Sequence, residues 1–451
     1  MPHRRRAAAA GPHGPGGWPA GAGAATLEGS SPLPAHAAMA PASSPRGGVA
    51  PDGSADPAAA PRPGSGGEQA LAPRSAEALV ERQRRGELQV RLAADYRALV
   101  AEAGLAEAYR CTDVVVAADA GFTDQASLLL HLGPTDPPIR LRDPQLDGVP
   151  ALAGGAAADL VLPISAAAEA GRGDGAQVLA RLLAGRSVEL SSAGEGTRLQ
   201  PRRELHTRLR RDGIGAGRLL LHRGITENGV VALSSAEGVL RTGWGPLLGP
   251  FAQALYSCGG ADSIGLVMPA LSLLGPGSPV LVGGAIGLVL GAGSGHQPRP
   301  KRLASGHART PGAVAALCVD LHDLDPRWLR AAHFEGHGGA LLVVVAAPVP
   351  LLDQRIALQA ACPDSALEAP VLDVSIPRRI KPSFGGVSYA ALKAGGIVVD
   401  GRRIPAAPSH SPRLAREGAL DLAERLRANR FPLRPPLLPL SPRPALLPLN
   451  A

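Results

Sequence analysis

Aromatic side chains are scarce in this chain: Phe, Trp and Tyr together make up 3% of its 451 residues. Single-stranded nucleic acids are held by stacking on such rings. The net charge of +8 and a pI of about 9.9 therefore do not point to an RNA- or DNA-binding protein. The positive excess is arginine, spread widely, with part of it in the termini (Arg4, Arg5, Arg6, Arg434 and Arg443). Cysteine is also rare. Cys111, Cys258, Cys318 and Cys362 stand far apart, and no two form a CxxC pair. That spacing argues against zinc, against iron–sulfur ligation within the chain and against a disulfide framework. No metal site is expected, and no nicotinamide or flavin fingerprint is visible. The basic N-terminus lacks the apolar stretch of a secretory signal. These absences lead to the expectation of a reducing, cytoplasmic location, with Met39 as an alternative start.

Charge of either sign is missing from residues 263–295, SIGLVMPALSLLGPGSPVLVGGAIGLVLGAGSG, which lead into His296. The length suits a membrane span, but the composition does not. A bilayer helix must satisfy every backbone group internally. Pro269, Pro276 and Pro279 each remove a donor, while Gly283, Gly284, Gly287, Gly291 and Gly293 loosen the backbone. The expectation is buried strands joined by glycine turns, with backbone presented to a small molecule and no membrane insertion.

Composition divides the chain in three. Residues 1–74 are Ala, Gly, Pro and Ser with scattered Arg and predict a disordered segment. Residues 75–429 form the body, and residues 430–451 a proline-rich extended or disordered tail. Within the body, residues 75–108 predict two helices, capped by Ser75 and broken at Gly86. The run DVVVAA at 113–118 predicts a buried strand that stops in the turn Asp119-Ala120-Gly121. Further expectations are a helix over 174–183, a strand over 187–191, a hairpin from 230–234 and 239–242, a buried strand over 339–348 and an amphipathic helix over 411–429. The fold class is mixed α/β, with glycine-rich strands and turns flanked by helices and the sheet order left open.

Six segments carry a resemblance. In order they are residues 75–100; GPTDPPIR at 133–140, near a GHSDPPIK-like stretch; GEGTRLQPR at 194–202, near a GYGTDCYPR-like motif; LVGGAIGLVLGAGSGHQP at 281–298, near an FLGGGIGYVIGEGTQHNP-like motif; residues 320–353; and SYAALKAGGIVVDGRR at 388–403. Together, in this order, they resemble the homocysteine-biosynthesis family, a former domain of unknown function. Its members are regarded as L-aspartate semialdehyde sulfurtransferases. The resemblance implies sulfur incorporation into aspartate semialdehyde. The resemblance further implies sulfide or a sulfur carrier as sulfur source and, since some members act with a ferredoxin-like protein, allows a separate iron–sulfur protein as external electron donor. Some members carry paired CBS modules after this region, which the present sequence does not show.

Such chemistry needs a grip on an amino acid, donors for a carbonyl oxygen, and a sulfur carrier. Asp136 is a candidate for the ammonium, and Arg140, Arg202 or Arg203 for the carboxylate. The turns at Gly194–Thr197 and around Gly287 and Gly293 can offer backbone N–H groups, or can be ordinary tight turns. His296 reads either as a general acid or as a turn histidine tied to backbone. His333 and His337 flank Glu335, but the neighbouring glycines argue against a helix that would make them metal ligands. The resemblance implies cysteines where this chain has Asp124 and Leu199. Cys258, in the polar turn YSCGG, becomes the candidate carrier for a covalent route, although Asp262 nearby would oppose thiolate formation. Two readings follow: a working enzyme with a diverged sulfur route, or a noncatalytic relative that keeps the metabolite pocket as a binding or regulatory protein.

Overall fold

The computed structural model describes residues 71–441, apart from 155–158, 170–172, 298 and 379. The expectation of disorder over 1–74 therefore lies almost wholly outside the described residues. An eleven-stranded, mixed but mostly antiparallel sheet forms the centre. From one edge its order runs Val90–Leu92, Val114–Thr123, Gly338–Pro350, Pro279–Val282, Ala285–Ala292, Val314–Asp320, Gly217–Thr226, Ala126–His131, Asp159–Pro163 and Leu152–Ala153, with Leu329–Phe334 paired to Gly338–Pro350. A six-stranded sheet around Val231–Leu233 and Ala254–Tyr256, a four-stranded sheet around Val188–Gly194, and one two-stranded ribbon complete the described strands. Mixed α/β is thus the observed class.

Burial explains why the strands differ in sequence. Val114, Val115, Val116, Ala117 and Ala118 are all buried because helices cover both faces of that end of the sheet. Val115 and Ala117 join the main core; Val114, Val116 and Ala118 meet Ala419, Leu422, Ala423 and Leu426 of the last helix, Pro412–Arg427. Each buried leucine there contributes about 1.5–3 kcal/mol. Ser411 caps this helix by accepting the Leu414 N–H at 3.3 Å. At the other end the strands alternate. Ala285–Ala292 buries Ala285, Gly287 and Val289 and exposes Ile286, Leu288 and Leu290. This period of two marks a sheet with one open face, and the open face carries the cleft described below.

Several expectations need correction. The first strand does not end at Asp119 but runs Val114–Thr123, because Gly338–Pro350 continues to pair with it through Val345↔Asp119 and Val343↔Gly121. Residues 231–233 and 238–242 are not a hairpin: the former pairs with Ala254–Tyr256 and Glu368–Asp373, and Gly238–Thr242 pairs with Gly245–Gly249. A short strand, Val90–Leu92, separates the two N-terminal helices, Ala76–Arg84 and Ala93–Arg110. The ordered body also extends past residue 429. Phe431 and Leu433 are buried in the same core as the last helix, and Gln83 Nε2 donates to the Phe431 carbonyl at 2.8 Å. The remaining helices agree with expectation; Gly175–Leu183 is capped by Asp174, which accepts the Gln177 N–H at 2.9 Å.

Candidate active site

A cleft of about 730 Å³ opens on the uncovered face of the central sheet, lined by Asp124, Gln125, Ala126, Ser127, Pro163, Ser165, His222, Ala292, Gly293, Ser294 and Ala316. This is the size of a small-metabolite site. A gap of about 40 Å³ beneath Leu433 and Pro436 is too small for one.

Two bulges shape the cleft. Strand Val314–Asp320 lies between Gly217–Thr226 and Ala285–Ala292, and both neighbours slip register beside Ala316. On one side the pairing jumps from Leu221↔Leu317 to Ile225↔Ala315, so three residues oppose one. On the other it jumps from Val289↔Leu317 to Gly291↔Ala316. A bulge re-aims side chains that a regular strand would send to alternate faces. Gly224 closes the first bulge tightly: a Cβ there would sit 2.4 Å from Leu317 Cγ. The turn Gly293–Gly295 is laced to this bulge, with the Ser294 N–H donating to the His222 carbonyl at 2.8 Å. A Cβ on Gly293 would lie 2.6 Å from that same carbonyl oxygen.

The polar groups that converge here form two pairs. Ser127 Oγ and His222 Nε2 are 2.9 Å apart. Asp124 Oδ2 and His337 Nε2 are 3.2 Å apart. Asp124 stands in the turn between Val114–Thr123 and Ala126–His131, where Thr123 Oγ1 accepts the Gln125 N–H at 3.2 Å. Phe122 and Phe334, edge to face at 5.0 Å, hold the strand ends beside it. Arg223 follows His222 in the bulge; desolvation pulls its guanidinium pKa down, and the Asp124 carboxylate acts in the opposite sense. A hydroxyl against an imidazole can move a proton to or from a bound carbonyl group. A carboxylate and a guanidinium nearby can hold an ammonium and a carboxylate.

Of the residues singled out from sequence, Gly293 lines the cleft, as does Asp124, one of the two positions where the resemblance implies a cysteine. Asp136, Arg140, Gly194, Thr197 and Arg202 do come together, but elsewhere. Strands Leu141–Leu146 and Val188–Gly194 pair Leu141 with Gly194 and so bring the two motifs side by side. Arg202 Nε donates to the Pro137 carbonyl at 3.1 Å and its guanidinium also donates to the Asp136 carbonyl. Arg140 pairs with Glu195 at 3.4 Å. Thr197 Oγ1 accepts the Gln200 N–H at 3.0 Å. A Cβ on Gly194 would lie 2.2 Å from the Arg202 carbonyl oxygen, so close backbone approach accounts for that glycine. These residues build a loop, and none of them lines the cleft. Leu199, in the same loop, is 87% exposed.

Gly287 sits inside its strand, where a Cβ would meet Val282 Cγ2 at 2.8 Å, and it does not reach the cleft. His296 Nδ1 accepts the Val314 N–H at 3.0 Å, as a turn histidine does, and its Nε2 is buried without a partner among the described residues. Cys258 is buried at 6% exposure in the core of the six-stranded sheet, and burial with the Asp119 carboxylate nearby pushes its thiol up to about 11. An exposed, easily ionised thiol is what a carrier needs, and Cys258 is the opposite. Cys111, Cys318 and Cys362 are likewise shifted upward, Cys111 mainly by its contact with Glu107 and the other two by desolvation. His333 and His337 face different carboxylates, Asp174 at 2.8 Å and Asp124 at 3.2 Å. Among the described residues no group of His, Cys, Asp and Glu is arranged to hold a metal ion, and no helix is long and apolar enough to cross a membrane.

Sequence reasoning missed Ser127, His222 and Arg223. A signal was present: Ser127 in ASLLLH and His222 in LLLHRGIT each interrupt an apolar strand. Pairing them across 95 residues required the fold.

The profile of the family described as "Homocysteine biosynthesis enzyme, sulfur-incorporation" matches residues 89–433. The chain is 30% identical over 359 residues to a protein of Methanosarcina acetivorans named L-aspartate semialdehyde sulfurtransferase, covering 79% of this chain and 70% of that protein. It is 28% identical over 329 residues to a protein of the same name from Methanocaldococcus jannaschii, covering 71% of this chain and 62% of that relative. No solved structure matches the chain. With three quarters of its length inside the family profile and two such relatives, the chain belongs to the homocysteine biosynthesis, sulfur-incorporation family.

Proposed function

We propose that this protein incorporates sulfur into L-aspartate semialdehyde to give homocysteine, and that the cleft beside Ser127 and His222 is where it does so. The observation that carries the reading is the convergence, inside a chain of this family, of a proton-relaying pair with the Asp124 carboxylate in one metabolite-sized cleft. Asp124, backed by His337, takes the substrate ammonium. The aldehyde oxygen lies toward Ser127 and His222.

Sulfur arrives from outside the chain in this scheme, because no cysteine lines the cleft and all four thiols are shifted away from ionisation. Hydrosulfide adds to the aldehyde carbon while the C=O π pair moves onto oxygen. That oxygen takes a proton relayed through Ser127 and His222, which solvent replaces. The adduct's S–H proton is then given up, a proton reaches the hydroxyl so that it leaves as water, and the sulfur lone pair closes the C=S bond of a thioaldehyde. Two electrons and two protons then convert it to the thiol. An external one- or two-electron carrier, such as a separate iron–sulfur protein, supplies the electrons.

The test is homocysteine formation from L-aspartate semialdehyde, sulfide and a low-potential chemical reductant, read by mass spectrometry, alongside rescue of a homocysteine auxotroph. The expected result is product and rescue with the parent chain. A stably folded protein that yields neither overturns the reading and favours a metabolite-binding relative.

A further inference from the structure

We propose that Arg223 is the anchor for the substrate's carboxylate, held beneath the Ser294–Gly295 turn at the edge of the cleft. The inference rests on the amino-acid substrate proposed above and names the residue that recognises its acid group.

Four observations place it. Arg223 directly follows the cleft residue His222, in the bulge where three residues oppose one. Regular strand geometry would send these two side chains to opposite faces, whereas a bulge frees the second to stay at the cleft edge. Its Nη1 lies 3.7 Å from where a Cβ on Gly295 would be, an ordinary contact distance that places the guanidinium directly against the turn. Gly295 itself has φ +74°, a backbone conformation that glycine adopts readily. Finally, Arg223 is underused. Among the described residues its hydrogen bond is from Nε to Thr226 Oγ1 at 3.2 Å, and no carboxylate comes within ion-pair distance. Partial burial disfavours its charge, and Asp124 only partly offsets this. A half-buried guanidinium with free donors is completed by a carboxylate, for which its planar fork is shaped.

The arginines expected from sequence are already committed. Arg140 pairs with Glu195, and Arg202 spends its guanidinium on the carbonyls of Asp136 and Pro137. Asp124 lines the cleft, and Arg223 adjoins it through His222 and the Gly295 turn, close enough for the Asp124 carboxylate to act on it; together they offer one anion and one cation, the complement of an amino acid's ammonium and carboxylate.

L-Homoserine carries both groups and replaces the aldehyde by an unreactive alcohol; 3-aminopropan-1-ol lacks only the carboxylate. Calorimetric titration of the full chain with each compound reads the anchor directly. The parent is expected to bind L-homoserine well and 3-aminopropan-1-ol weakly. Arg223→Met should weaken L-homoserine by about tenfold or more, and leave 3-aminopropan-1-ol unchanged. Arg140→Met and Arg202→Met should bind L-homoserine as the parent does. Arg223→Lys, which keeps the charge but not the fork, should fall between and serves if the Met variant does not fold. Unchanged L-homoserine affinity in a folded Arg223 variant, or its loss in Arg140→Met instead, overturns the assignment while leaving the proposed reaction standing. A parent that binds no L-homoserine also overturns the anchor, and homocysteine formation by that parent then decides whether the proposed reaction stands.

Discussion

Ser127 Oγ lies 2.9 Å from His222 Nε2, on adjacent strands of the central sheet. Both side chains lie on the sheet face that no helix covers among the described residues, so their loss should affect chemistry more than folding. His222→Gln is expected to lower kcat/KM for homocysteine formation by about 10²–10⁴-fold, the range of general acid–base catalysis. Ser127→Ala should lower it less, with the melting temperature of both variants close to the parent's. Parent-like turnover in His222→Gln would remove the proton relay from the mechanism.

Cys258 provides a contrasting prediction. Its thiol packs where a Cβ on Gly229 would be only 2.5 Å from Cys258 Cβ, and it is pushed up to about 11. Cys258→Ala should leave homocysteine formation intact and cost about 1–2 kcal/mol of stability from lost packing. In the native parent this thiol should resist a thiol-specific reagent until the protein unfolds. Abolished activity in a folded Cys258→Ala variant would restore the covalent route.

Acid stability should depend on two groups that oppose one another. Desolvation raises Asp119 to about 6 and lowers His410 to about 4. Asp119 binds its proton more tightly when folded, so its contribution is full below about 3.8 and is lost as pH rises through 6. His410 binds its proton less tightly when folded, so its contribution is full above about 6.5 and is lost as pH falls toward 4. In the parent the two trends largely cancel across this window. Asp119→Asn keeps an oxygen for the Ile264 N–H, now accepted at 3.1 Å. Denaturant unfolding of that variant should show stability rising with pH between about 4 and 6.5. A flat profile would mean that His410 is protonated alike in both states.

The proline-rich tail should matter through its first residues. Phe431, at 1% exposure, sits in the core formed with Leu79, Leu422 and Leu426. Phe431→Ala is expected to destabilise the protein by about 3–5 kcal/mol in chemical denaturation. A change below about 1 kcal/mol would show the tail to be only an appendage.

The sequence by itself determined the elements whose side-chain pattern is local. The helix at Pro412–Arg427 follows from its apolar spacing and Ser411 cap, and Gly175–Leu183 from Asp174. The unbroken Val114–Ala118 run announced a strand covered on both faces. The order of six motifs identified the family. Tertiary structure alone decided where Val114–Thr123 ends, because its last residues are held by a partner more than 200 positions away. It also decided the site. The motif residues are committed in a loop, Arg202 to the carbonyls of Asp136 and Pro137 and Arg140 to Glu195, while the cleft is assembled from Asp124, Ser127, His222 and Gly293 by strand pairing. Register slips beside Ala316 accompany the placement of His222 in that cleft. Such a slip is a relation between strands, set by pairing and close glycine packing, and no single segment of sequence encodes it.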